Sequence, residues 1–423
     1  MKKFHIALIA LFLAVIILPA AFVFAGEDRT FSDNENRMLQ TAPKLTFDSI
    51  LDGSFQNKIT DYISDQFPAR DTWTQLGSQV KKLAGFKDIG GAYLGSDGYY
   101  MEKITPDKVD ETNLRRNIGL VSDFVQSCGV KTTMLLVPAT GTVMSDKLPA
   151  HAQMYDAEKL YNTVKSAMPD VSFPDLYTAL SEAKTQQQVY YRTDHHWTWY
   201  GAHTAYKALL PDGKYEASPE LFSDSFLGTT YSKTLDPAAK CDGVYISPVS
   251  DNLKVTADGK EISLYDMSAA GEKDKYKVFL GGNYGETTIT GGCNNGKTLL
   301  VIKDSFANSL VPFLTADYEN IIMLDLRYYM GSAKQLAADN GSRVLAGQLC
   351  IADVVLTVAG GKAHAGCQLQ RLVQCGTGAL AEGCALFRGA LYAVDCHQSG
   401  NILQQLFLVL RNICVDFLIQ CLI

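Results

Sequence analysis

The segment Leu299-Leu300-Val301-Ile302-Lys303-Asp304-Ser305-Phe306-Ala307-Asn308-Ser309 constrains the fold more than any other part of the chain. An unbroken apolar run reads as a buried strand, and the serine stands where a helix should begin. The same alternation recurs elsewhere. Val109, Leu114, Ile118, Val121 and Val125 fall at largely helical spacing over 106–126, and 131–138 follows as a short apolar run. A helix over 156–167 precedes a strand at Val171-Ser172-Phe173; another helix follows Trp197, and strands centre on Val278 and Leu299. Strands alternating with helices predict an α/β domain with a mostly parallel sheet. In such sheets ligands sit at the carboxyl ends of the strands.

Those ends hold the chain's most reactive residues. Asp194-His195-His196-Trp197 gathers an acid and two imidazoles, from a chain with only seven histidines. A serine hydroxyl is a weak nucleophile until an imidazole takes its proton, and the imidazole needs a carboxylate to fix its tautomer. On an extended segment residues i and i+2 share a face, so Asp194 can orient His196 while His195 points away. The expected roles are Ser305 as nucleophile, His196 as base and Asp194 as orienter. Free backbone N–H groups of Ser305 and Phe306 at the helix start would stabilise an oxyanion, with Asn283 as a second donor. Each residue also has a plainer reading: Ser305 as a helix N-cap, Asn283 as a turn residue, Trp197 and Trp199 as core. Asp194, His195 and His196 could instead bind a metal. No further His or Glu cluster stands at ligand spacing, and His203 is the nearest help, so neither metal nor cofactor is expected.

At 423 residues, 47% hydrophobic and 20% charged, the chain is globular, with material for one large domain or two ordinary ones. Its net charge of −7 is spread without basic runs, which excludes a nucleic-acid partner. Met1-Lys2-Lys3 opens an apolar run from Ile6 to Phe24 that precedes Gly26-Glu27-Asp28. Residues 1–25 thus read as a signal peptide or an uncleaved membrane anchor, placing the remainder outside the cytoplasm. Residues 26–105 form a polar lead-in arm with a helix from about Phe47 and an Asp97-Gly98 hairpin turn. The α/β domain covers 106–340, with an irregular insertion at 212–297. Seven of the ten cysteines fall after residue 340, with one of twenty-one tyrosines. Residues 341–423 therefore form an atypical tail whose composition a change of reading frame would explain. No disulfide framework or zinc spacing emerges.

The Asp194-His195-His196-Trp197 motif resembles that of the DHHW protein family. Phe31-Ser32-Asp33-Asn34-Glu35-Asn36-Arg37, Gly281-Gly282-Asn283-Tyr284, the 303–309 segment and Asp325-Leu326-Arg327-Tyr328-Tyr329 are similar to its other signatures. That family is in turn similar to the SGNH-hydrolase-like domains of alginate O-acetyltransferases, with an Asp-x-His pair well before the serine. The resemblance covers about 28–340. It implies a flavodoxin-like three-layer sandwich and acetyl transfer through an acetyl-serine to an exported polysaccharide. It also implies a further apolar strand soon after Asp325, which the sequence past Asn340 does not plainly supply. The expected activity is an extracytoplasmic O-acetyltransferase or acetylesterase acting on a cell-envelope polysaccharide. A transferase calls for a membrane-bound acetyl-donor protein; an esterase does not. The rival from another class is a non-catalytic glycan-binding or assembly protein, with Tyr93, Tyr99, Tyr100, Trp197 and Trp199 stacking on sugars.

Overall fold

The computed structural model describes residues 2–34, 37–129, 131–216, 218–340 and 343–350. Most of the region read as a tail, 351–423, lies outside the described residues. Among those described, one compact unit holds the chain up to Ile89 together with Ser232–Pro237, and a larger one holds Gly90–Tyr231 and the chain from Ala238.

In the smaller unit the apolar stretch is a helix, Lys2–Ala25, whose side chains are described at only some positions. Among the described residues no helix is long and apolar enough to cross a membrane. The polar segment after it is pinned to the helix Ser54–Gln66 by one buried carboxylate. Asp65 accepts Arg37 Nη1 and Nη2 at 2.9 and 2.5 Å and the Gln40 amide at 2.8 Å. Burial would raise the Asp65 carboxyl, but the Arg37 guanidinium and the Gln40 amide hold it below the usual range.

The larger unit is built on one seven-stranded sheet. Its strands are β1 (Thr132–Val137), β2 (Lys254–Ala257), β3 (Lys260–Ile262), β4 (Glu286–Thr290), β5 (Thr298–Lys303), β6 (Asn320–Asp325) and β7 (Arg343–Cys350), in the order β3-β2-β4-β6-β5-β7-β1. Leu299, Leu300, Val301 and Ile302 are all buried. Because successive side chains point to opposite faces, both faces of β5 are covered. Its longer helices are α1 (Glu111–Cys128), α2 (Ala157–Ala167), α3 (Leu176–Ala183), α4 (Trp199–Leu209), α5 (Ala307–Leu314) and α6 (Ala333–Asn340). Asp110, Asp156, Asp175 and Thr198 cap the first four by accepting free backbone N–H groups. α1 packs with α2 and α6, and α4 packs with α3 and α5.

The structure corrects the sequence at several points. The sheet is mixed rather than mostly parallel: β1, β7, β5 and β6 run parallel, whereas β6/β4, β4/β2 and β2/β3 are antiparallel. The antiparallel half comes from 212–297, which is therefore an integral part of the sheet and not an irregular insertion. Its strands are half-covered, with Val255 and Ala257, and Thr287 and Ile289, alternating against more exposed neighbours. A second pair, Glu220–Phe226 with Asp242–Ile246, lies in the same region. Val278 ends a 3-10 turn, Lys275–Val278, and Ser172 makes a single bridge to Thr133 instead of a strand. β7 lies in the segment read as tail, and it sits between β5 and β1. The hairpin Ala92–Leu94 with Tyr100–Glu102 forms as expected, with Asp97 and Gly98 at φ 57° and 81°. It belongs to the larger unit and not to the lead-in.

Candidate active site

Ser305 stands two residues past the end of β5, where the chain turns into α5. It does not cap that helix. The N-cap position is Phe306, without a side-chain cap, and the Ser305 hydroxyl is engaged with His196 Nε2 at 2.7 Å. His196 Nδ1 meets Asp194 Oδ1 at 2.6 Å. A carboxylate can only accept, so Nδ1 carries the proton and Nε2 presents its lone pair to the serine. Asp194, His196 and Ser305, 109 residues apart at their widest hydrogen-bonded step, are thus brought into one linear chain.

Asp194 is itself fully bonded. Oδ1 also accepts the His196 amide at 2.9 Å, and Oδ2 accepts the Thr229 amide and hydroxyl at 2.7 and 2.8 Å. Burial favours the protonated acid, but the two histidines and the Thr229 amide outweigh it and hold the carboxyl far below its usual range. The His196 ring is clamped face to face by Tyr276, with centroids 3.9 Å apart and planes at 11°. His195 lies against it at 3.9 Å, tilted by 37°. Burial, with the His195 charge adding to it and Asp194 opposing, pushes His196 down to about 4. His196 is therefore a neutral base near pH 7.

His195 does not point away as the extended-segment argument required. The motif lies on a tight loop closed by the Tyr190–Trp197 bridge, so the acid and both rings stay together. His195 Nδ1 reaches Thr229 Oγ1 at 2.7 Å. Nor does the motif stand at a strand end. It is held from below by buried Asp242, which accepts the Arg192 and Thr193 amides, the Thr193 hydroxyl and the Gln188 side chain at 2.7–3.1 Å.

Of the proposed oxyanion donors, the Phe306 amide is not free: it donates to Asp304 Oδ1 at 2.9 Å. The Ser305 amide and the Asn283 side-chain NH2 have no hydrogen-bond partner among the described residues. Asn283 Oδ1 accepts Lys303 Nζ at 2.9 Å and Asn308 Nδ2 at 3.1 Å. Ligand atoms of Asp194, His195 and His196 lie within 4.8 Å of one another, yet those of Asp194 and His196 already serve the chain described. His203 stands apart, stacked on Trp199 at 5.0 Å.

The aromatics offered for sugar stacking are core. Trp197 is 0% exposed and donates to Ser309 at 2.8 Å; Trp199, Tyr93, Tyr99 and Tyr100 are also buried. Thr229, Tyr276 and Asp242 escaped the sequence reading because all three lie in the segment taken for irregular insertion. Gly228 belongs with them. A methyl there would stand 2.7 Å from Asp194 Cγ, inside any real contact distance.

Comparison with known proteins bears on the domain that carries these residues. The family model described as an SGNH hydrolase-like domain of the acetyltransferase AlgX matches residues 94–220, a stretch that includes Asp194 and His196 but not Ser305. A probable alginate O-acetylase AlgJ of Pseudomonas syringae pv. tomato is 28% identical over 236 residues, 52% of this chain and 56% of its own length. The chain thus spans about half the length of that curated relative. A DHHW family protein from Eubacterium siraeum superimposes with a TM-score of 0.56 at 23% identity, over 68% of this chain and 98% of that one. Bacillus cereus PatB1, solved with a sulfonyl adduct, gives a TM-score of 0.51 at 22% identity, over 61% and 94%. Residues 94–220 thus match an SGNH hydrolase-like domain, and the chain is similar in sequence to AlgJ and in fold to the DHHW family protein.

Proposed function

We propose that this protein is an acyl-serine enzyme that moves acetyl groups on a cell-envelope polysaccharide, with Ser305 as nucleophile, His196 as general base and Asp194 as its orienter. The observation that carries this reading is the Asp194–His196–Ser305 relay, with bonds of 2.6 and 2.7 Å. Ser305 Oγ attacks the acetyl carbonyl carbon while its proton moves to His196 Nε2, and the imidazolium that forms rests on Asp194. Negative charge on the carbonyl oxygen is taken by the Ser305 amide and Asn283 Nδ2. Collapse expels the donor's oxygen, which takes the proton back from His196 and leaves acetyl-Ser305. An acceptor hydroxyl then gives its proton to His196 as it attacks the acetyl-serine; the bond to Ser305 Oγ breaks, Oγ takes that proton from His196, and the new ester departs.

A sugar hydroxyl as acceptor makes the enzyme a transferase and water makes it an esterase; the AlgJ and AlgX relatives favour the transferase. Residues 1–25 would export the domain or anchor it outside the membrane, and a membrane-bound partner would deliver the acetyl groups. The test is turnover of an activated acetyl ester by the purified chain. Ser305→Ala and His196→Ala should each lower kcat/KM by about a thousandfold or more. Unchanged turnover in folded Ser305→Ala protein would refute the scheme.

A further inference from the structure

The acyl-transfer scheme gives no part to the buried cation beside the nucleophile. Lys303 ends β5, two residues before the nucleophile, and is 6% exposed. Its ammonium donates to Asn283 Oδ1 at 2.9 Å and Asn308 Oδ1 at 2.8 Å, while Asp325 Oδ2 lies farther off at 3.5 Å. Asp325 is taken up more closely by Arg327, through Nε at 2.8 Å and Nη2 at 2.6 Å. Burial pushes Lys303 down to about 8 despite Asp325, so the fold keeps this cation at a cost. A cation retained only to neutralise Asp325 would sit nearer to it than to two amide oxygens.

The chemistry of the donor fixes what those amides do. An ammonium can only donate, so both asparagines turn their oxygens toward Lys303 and their NH2 groups away. Asn308 Nδ2 then finds Gly282 O at 3.3 Å and Asn283 Oδ1 at 3.1 Å. Asn283 Oδ1 holds two donors, yet its Nδ2 has no partner among the described residues. Gly281 and Gly282, at φ 74° and 144°, supply the turn that delivers Asn283 to this clamp, in backbone regions a side chain rarely tolerates.

We propose that Lys303 is a positioning residue for oxyanion stabilisation: it clamps Asn283 by the carboxamide oxygen so that Nδ2 is aimed at the acyl oxygen on Ser305. This rests on the acyl-serine reading above. A charged donor on the amide oxygen also polarises the amide and strengthens Nδ2 as a donor when negative charge develops.

A double-mutant cycle on the full chain tests it, with an activated acetyl ester as substrate. Lys303→Met and Asn283→Ala should each lower kcat by about a hundredfold with KM little changed, the size expected for one lost oxyanion donor. The double variant should be no slower than Asn283→Ala alone, because Lys303 acts only through Asn283. Lys303→Leu, which likewise removes every donor, carries the same prediction should Lys303→Met not fold, with circular dichroism as the check. A folded Lys303 variant with unchanged kcat, or losses that multiply in the double variant, would overturn the proposal. Ser305→Ala in the same assay separates the two claims: if it abolishes turnover while the Lys303 cycle is additive, the serine reading stands and only the Lys303 role falls.

Discussion

At the scale of single residues, the site works by setting one imidazole between two constraints. Asp194 fixes the tautomer of His196, and the Tyr276 ring fixes its plane. Burial keeps the imidazole neutral, so the acid limb of kcat/KM should lie well below 6.5, toward 4. A limb at about 6.5 in a pH profile with an activated ester would contradict this. Stability should follow in the same window. The unfolded chain takes up the His196 proton near 6.5 and the folded chain near 4, so between these values the unfolded state binds more protons and this group's contribution is lost as pH falls. Gly228 offers a sharper residue test. Gly228→Ala should displace the Asp194 carboxylate, since the added methyl would meet Cγ at 2.7 Å, and lower kcat by at least tenfold; activity equal to wild type would mean the loop yields freely.

At the scale of elements, the loop that carries Asp194 and His196 is tethered by Asp242. Asp242→Ala would leave the Arg192 and Thr193 amides and the Thr193 hydroxyl without their buried acceptor. The expected cost is about 3 kcal/mol of stability, read as a lower chemical-denaturation midpoint with kcat falling alongside. A loss under about 1 kcal/mol would show that the loop is held by other means. The tether also marks what the sequence could and could not disclose. β5 and the turn to α5 were legible because Leu299 to Ile302 leave a strand no solvent-facing side, and the motif residues carry their chemistry in their identity. Asp242 and Thr229 were not, because a carboxylate or hydroxyl that closes a network across 35 to 49 residues has no local signature. β2 and β4 were hidden by their Thr and Lys content, although Val255/Ala257 and Thr287/Ile289 carry the period-two burial of a half-covered sheet. His195 was misplaced because spacing two apart implies a shared face only on extended backbone, and this loop is bent.

At the scale of the molecule, the sheet depends on a strand from the compositionally odd end of the chain. β7 lies between β5 and β1, pairing Leu299–Ile302 on one side and Thr132–Val137 on the other. A chain ended after Asn340 would leave β5 and β1 each with an unpaired buried edge. Such a truncation should lose cooperative unfolding and ester turnover together; a stable, active 1–340 fragment would show that β7 is dispensable. The smaller unit, with its Arg37–Asp65 pin, plays no part in the proposed chemistry, which resides wholly in the larger one. If Ser305 carries the acyl group, intact mass spectrometry after brief mixing with an activated acetyl ester will detect it. The expected product is one added acetyl group, mapped to Ser305 and absent from Ser305→Ala and His196→Ala; a folded wild-type chain that gains no acetyl group and turns over no ester would rule out an acyl-serine.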